Sequence, residues 1–122
     1  MFSKRTIGLD WDGTVSDHVE VFSLLSDFFH RCVIITLNPT ITREYAAQVL
    51  RQPVDKVHVE ICDDESLEEY PQWKAAMCHK HTVDVMFDDD HYVVEACQAA
   101  NIRAMRVGEH PVLNYASRLL AG

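Results

Sequence analysis

Ile7-Gly8-Leu9-Asp10-Trp11-Asp12-Gly13-Thr14 is an apolar, strand-like approach that ends in two carboxylates two positions apart. Gly13 and Thr14 then supply a sharp turn out of the strand. Alternate side chains share a face in an extended chain, so Asp10 and Asp12 converge if the backbone stays straight or is re-aimed just after Asp10. Two carboxylates about 4 Å apart repel by roughly 1 kcal/mol in water and by more in a dry cleft. Such a pair takes up a proton or a hard metal cation.

Outward from this stretch the hydrophobic period changes. Val21, Phe22, Leu25, Phe28 and Phe29 recur at helical spacing, which predicts an amphipathic helix with Ser16 or Asp17 as its N-cap and a Phe22/Phe28/Phe29 core stripe. Cys32–Thr36 is a short apolar, β-branched run, the pattern of a strand buried on both faces. Asn38-Pro39 breaks it, and a helix over Ile41–Arg51 follows, with Thr40 placed to cap it. Val57–Ile61 alternates like a strand, and an acidic stretch from Asp63 to Glu69 reads as a solvated loop. Pro71–Lys80 is predicted as a helix, Val83–Phe87 as a strand running into Asp88-Asp89-Asp90, and Tyr92–Ala100 as a helix ended by Asn101. Ile102–Val107 is a fifth strand, and Pro111–Leu120 a terminal helix. Strict alternation of strand and helix with short connections predicts a doubly wound, parallel, three-layer α/β/α sandwich on five strands, residues 1–122 forming one domain.

Bulk properties narrow the function. The net charge of −8 opposes non-specific binding to nucleic acid, which draws its affinity from Lys and Arg. Cys32, Cys62, Cys78 and Cys97 show neither Cys-x-x-Cys nor zinc-finger spacing, so reduced thiols and a cytoplasmic location are expected. No apolar run approaches the ~20 residues of a membrane span, and no secretory signal is visible.

Ligands of open α/β sheets bind beyond the carboxyl ends of the strands, where Asp10, Asp12, Thr36, Asn38, Asp88, Asp89 and Asp90 fall. In that order the sequence resembles the haloacid dehalogenase superfamily, mostly Mg²⁺-dependent phosphatases, over about Ile7 to Val107. The resemblance implies that Asp10 of Asp10-Trp11-Asp12-Gly13-Thr14 is a nucleophile forming an aspartyl-phosphate, and Asp12 the general acid/base. It implies that Thr36, with Asn38 nearby, binds a phosphoryl oxygen, and that Lys74, rather than Lys80, neutralises Asp10 and the phosphoryl group. Asp88 and Asp89 would complete a Mg²⁺ site with Asp10 and the Asp12 carbonyl, Asp90 standing in reserve.

Family members often carry a cap domain, but the gaps at Val15-Ser16 and Cys62–Gln72 are too short for one. The implied site is open, suited to a bulky or macromolecular phosphorylated substrate or closed by another subunit. His79 and His81 read as surface or helix-end residues, and His91 as a helix-start residue near the acidic triplet. Trp11 either packs inward or borders the substrate. Two other classes compete: a receiver-like phosphoacceptor with Asp63 or Asp64 as acceptor and Asp88 and Arg106 in the accessory places, and a non-catalytic binding protein of the same architecture.

Overall fold

The structure, a computed structural model, describes residues 5–108. The predicted helix over Pro111–Leu120 lies outside them. In chain order the elements are β1 (Thr6–Leu9), α1 (Val19–Ser26), β2 (Arg31–Thr36), α2 (Arg43–Leu50), β3 (Val57–Ile61), α3 (Tyr70–Lys80), β4 (Val85–Asp88), α4 (His91–Ala99) and β5 (Ala104–Arg106). The five strands form one all-parallel sheet in the order β3-β2-β1-β4-β5, a Rossmann-like arrangement. The chain winds outward from β1 through β2 to β3, then crosses back to β4 on the other side of β1. Strand order therefore reverses between β1 and β4, which is where open α/β sheets place their ligands.

Alternation along the strands divides the apolar side chains into two clusters. Ile7, Leu9, Cys32 and Ile34 pack with Val21 and Phe22 of α1 and Ala46 and Leu50 of α2. Val33, Ile35 and Met86 pack with Ala75 and Cys78 of α3 and Val93 and Cys97 of α4. Gly8 is required between β1 and β4, because a Cβ there would lie 2.9 Å from both Met86 Sδ and Val83 Cγ1.

Element ends differ from expectation for identifiable reasons. Neither Ser16 nor Asp17 caps α1; the position falls to His18, because the Ser16 hydroxyl is used one turn earlier, accepting the Gly13 N–H at 2.9 Å. The helix stops at Ser26, which donates back to the Phe22 carbonyl, so Phe28 escapes the stripe and is about half exposed. Phe22 is buried, its ring 5.3 Å from that of Phe87, and Phe29 packs against the same cluster. Thr40 does not cap α2 either; its hydroxyl donates to Asn38 Oδ1, and Thr42 accepts the Tyr45 N–H instead. Asp63 caps a short helical turn, Asp64–Glu69, where a loop was expected. β4 begins two residues late and ends on Asp88 itself, and Asn101 follows α4 with the positive φ of a helix stop.

Cys32, Cys62, Cys78 and Cys97 are free thiols. Among the described residues no helix is long and apolar enough to cross a membrane.

Candidate active site

Parallel register carries the first acid to the second. Leu9 pairs with Phe87, and the Asp10 N–H extends the ladder by donating to the Phe87 carbonyl at 3.0 Å. Asp10 and Asp88 thus end adjacent strands side by side. β2 lies on the other flank of β1, with Leu9 paired to Ile34, and brings Thr36 to the same rim. After Asp10 the chain makes one wide turn, Trp11–Val15, closed by the Ser16 N–H on the Trp11 carbonyl at 3.0 Å. Asp12 is extended and Gly13 takes φ +80° within it. This turn sends Trp11 inward, buried in the first cluster with its ring 5.7 Å from Tyr45, and leaves Asp12 exposed.

Lys74 comes from α3. Its Nζ donates to Asp10 Oδ1 and to Asp88 Oδ2, both at 2.8 Å, and all three residues are buried. Lys80 lies six residues on, roughly 240° around the helix, and pairs at the surface with Glu60. The Asp10 Oδ2 accepts the Thr14 hydroxyl at 3.2 Å, and Asp88 Oδ1 accepts the Asp90 N–H at 3.0 Å. Asp90 caps α4 through the Tyr92 N–H and also accepts the Tyr70 hydroxyl. Asp89 is exposed and packs across Gly13.

Asn38 holds Asp12. Its Nδ2 donates to both carboxylate oxygens, at 3.1 and 3.4 Å, while its own Oδ1 accepts the Thr40 N–H and hydroxyl. The Thr36 hydroxyl accepts the Asn38 N–H at 3.0 Å, leaving its proton to donate. A cavity of about 380 Å³ is lined by Asp10, Asp12, Thr36, Lys74, Asp88, Asp89 and Asp90 together with Leu37 and Tyr70. Every sequence-predicted site residue except Asn38 lines it, and Asn38 touches it through Asp12. Two contributors were missed. Thr14 looked like a turn residue, and Tyr70 carries no local signal at all.

Of the receiver-like set, Asp88 and Arg106 are register partners on β4 and β5. β2 separates β1 from β3, unlike the flavodoxin-like order, and Asp63 is engaged as the cap of its own turn.

Electrostatically the buried centre holds two acids and one base. Burial drives the Asp10 carboxyl up to about 8; Lys74 opposes that rise and Asp88 adds to it. Burial likewise raises Asp88 against the pull of Lys74. For Lys74 burial acts downward, but the Asp88 and Asp10 carboxylates outweigh it and raise the ammonium. One negative charge is therefore left over, and a proton or a cation must meet it. Oxygens of Asp10, Asp88 and Asp89 come within 4.8 Å of one another. That all-oxygen, carboxylate donor set suits a hard divalent cation and could hold one.

Two predictions follow from this geometry. Without a divalent cation, the folded protein keeps a proton on Asp10 that the unfolded chain releases near its ordinary value of 3.8. The folded state then binds more protons from about pH 4 to about pH 8, so this group's contribution to stability falls across that window as pH rises. Melting temperatures in EDTA should show wild type losing ground to Asp10→Asn up to about pH 8 and holding level above it. At Gly13, a Cβ would sit 2.4 Å from Asp89 Oδ2 on a backbone with φ +80°. Gly13→Ala should destabilise by about 1–3 kcal/mol and weaken stabilisation by divalent cations, both readable in urea titrations.

Comparison of the sequence with protein-family models finds no match, and no curated protein matches it significantly.

Proposed function

We propose that this chain is a Mg²⁺-dependent phosphomonoesterase of the haloacid dehalogenase type, built as a three-layer α/β/α sandwich without a cap. The observation that carries the reading is the buried Lys74 ammonium held between Asp10 and Asp88, with Asp12 and Thr36 lining the same cavity. A purely structural role explains this poorly, because a buried pair of acids around one base leaves a net charge that costs stability. Phosphoryl transfer needs that combination: an anionic nucleophile, a proton carrier and fixed positive charge.

Asp10, Asp88 and Asp89, with the Asp12 carbonyl, would hold the Mg²⁺, which supplies positive charge to orient and neutralise the phosphate. With Lys74 beside it, the Asp10 carboxylate attacks phosphorus; the ester P–O bond breaks and an aspartyl-phosphate forms. Asp12 gives its proton to the departing alcohol oxygen. It then takes a proton from water, whose oxygen attacks phosphorus and releases phosphate and free Asp10. Asn38 keeps Asp12 aimed through both steps. Thr36 donates to a phosphoryl oxygen, and Lys74 offsets the charge that accumulates on the transferring group.

A broad screen of phosphomonoesters with Mg²⁺ and with EDTA tests the reading. Phosphate release that depends on Mg²⁺ is expected for at least one ester. No release from any ester, alongside tight binding of a protein partner, would replace it with the binding-module reading.

A further inference from the structure

α3 is fastened to the turn between β4 and α4 at two points on one face of the helix. Lys74 Nζ donates to Asp88 Oδ2 at 2.8 Å, and one helical turn earlier the Tyr70 hydroxyl donates to Asp90 Oδ2. Between these anchors the turn is tied to itself, because the Asp90 N–H donates to Asp88 Oδ1 at 3.0 Å. Tyr70, Asp90, Asp88 and Lys74 thus close a ring of hydrogen bonds through the backbone of α3. Both Asp90 carboxylate oxygens are engaged within it: Oδ1 accepts the Tyr92 N–H at 2.8 Å, and Oδ2 accepts Tyr70. Among the described residues, the acids whose oxygens gather within 4.8 Å are Asp10, Asp88 and Asp89, and Asp90 stands outside that set.

Where a metal ligand is held in place by an outer partner, removing that partner weakens the metal without touching a ligand. Resting on the reading of Asp10, Asp88 and Asp89 as the Mg²⁺ ligands, we propose that Tyr70 is a positioning residue for the divalent cation: its hydroxyl holds Asp90 as the brace of the ligand-bearing turn. The acidic triplet then divides by role. Asp88 and Asp89 ligate, while Asp90, with its oxygens given to Tyr70 and to the first turn of α4, does not. A brace has a physical purpose here, because carboxylates drawn together repel one another and drift apart if the turn is free. Fastening Asp88 and Asp90 orders the segment that carries Asp89 during folding, so less ordering is left to binding. The Tyr70 ring packs against the second apolar cluster, which fixes the hydroxyl that does the holding.

Mn²⁺ is the probe, a cation suited to carboxylate oxygens whose free ion is counted by electron paramagnetic resonance. Tyr70→Phe removes the hydroxyl and keeps the ring. It should weaken Mn²⁺ binding by about tenfold, the lower end of what is lost when a group that holds a metal ligand is removed. Asp90→Ser isolates the route through Asp90, since serine still caps α4 and is too short to offer Tyr70 a second oxygen. In that background Tyr70→Phe should change affinity by less than about twofold. Unchanged affinity in Tyr70→Phe overturns the proposal even if the variant melts lower in EDTA, because a hydroxyl that only stabilises the fold moves the melting temperature and not the affinity. Equal losses in both backgrounds overturn it too, as does tighter binding in Tyr70→Phe, which would make Asp90 a ligand that the hydroxyl withholds. The readout is independent of catalysis. Tenfold weakening that depends on Asp90, in a protein that cleaves no phosphomonoester, supports the proposal and counts against the phosphatase reading; unchanged affinity in a protein that does cleave one counts against the proposal alone. A wild type that binds no Mn²⁺ overturns the proposal and the Mg²⁺ site together.

Discussion

Asp10→Asn should reduce Mg²⁺-dependent phosphate release by at least about 10⁴-fold, because the amide has no anionic oxygen with which to attack phosphorus. The loss should fall on kcat, since Lys74 and Thr36, which on the proposed reading hold the phosphoryl group, are untouched. The same substitution should not unfold the protein. Asp10 is buried beside Asp88, and the amide removes the charge whose burial is unfavourable while Lys74 keeps Asp88 as its partner. At pH 7 in EDTA the variant should melt above the wild type, the stability difference following the rise of Asp10 to about 8. Loss of activity with gain of stability is the signature of a functional buried acid. Retained phosphate release in this variant, with its mass confirming that the asparagine is intact, would remove Asp10 as nucleophile.

Lys74→Met is expected to be the most damaging single change to stability. Methionine fills much of the volume but leaves Asp10 and Asp88 buried with no cation between them. Removing one partner from a buried charge cluster costs about 3–5 kcal/mol, and here both remaining groups are acids. The cost should be largest above about pH 8, where Asp10 ionises, and smaller near pH 5, where a proton takes over part of the lysine's task. Adding Asp10→Asn to Lys74→Met should recover part of the loss, and chemical denaturation of the two variants at both pH values measures it. Activity should fall at least ~100-fold, because fixed positive charge at the transferring group is lost even where the fold survives. Lys80→Met is the matched control. Its ammonium is largely exposed and pairs with Glu60 at the surface, so its removal should alter stability by less than about 1 kcal/mol.

The two lysines show where sequence reading reaches its end. Both lie on one predicted helix, and the preference for Lys74 came from its place in an ordered set of motifs. Its contact with Asp10 spans 64 positions of chain, beyond any local period. The acidic triplet is similar. Three consecutive aspartates look interchangeable, yet each has a different neighbour: Asp88 ends β4 and meets Lys74, Asp89 turns out across Gly13, and Asp90 caps α4 and takes the Tyr70 hydroxyl. Asn38 was legible as a residue at a strand end, but not as the group that holds Asp12. Errors at helix starts had one cause. Ser16 and Thr40 have the right chemistry for caps, and a neighbouring turn claimed each hydroxyl first.

By itself the sequence determined the alternation of strands and helices, the apolar faces they bury and the acids at the ends of β1 and β4. Those features follow from side-chain period, β-branching and turn chemistry, which act over a few residues and do not depend on the rest of the chain. Only the tertiary structure decided that β4 returns to the open flank of β1, so that Asp10 and Asp88 become neighbours and α3 presents Lys74 between them. Strand order rests on which apolar faces pack together across the whole chain, and buried charges must find partners within whatever arrangement that packing allows. Ile7–Thr14 supplied an acid at a strand end, and the fold gave that acid a buried ammonium, a second carboxylate and a cavity to face.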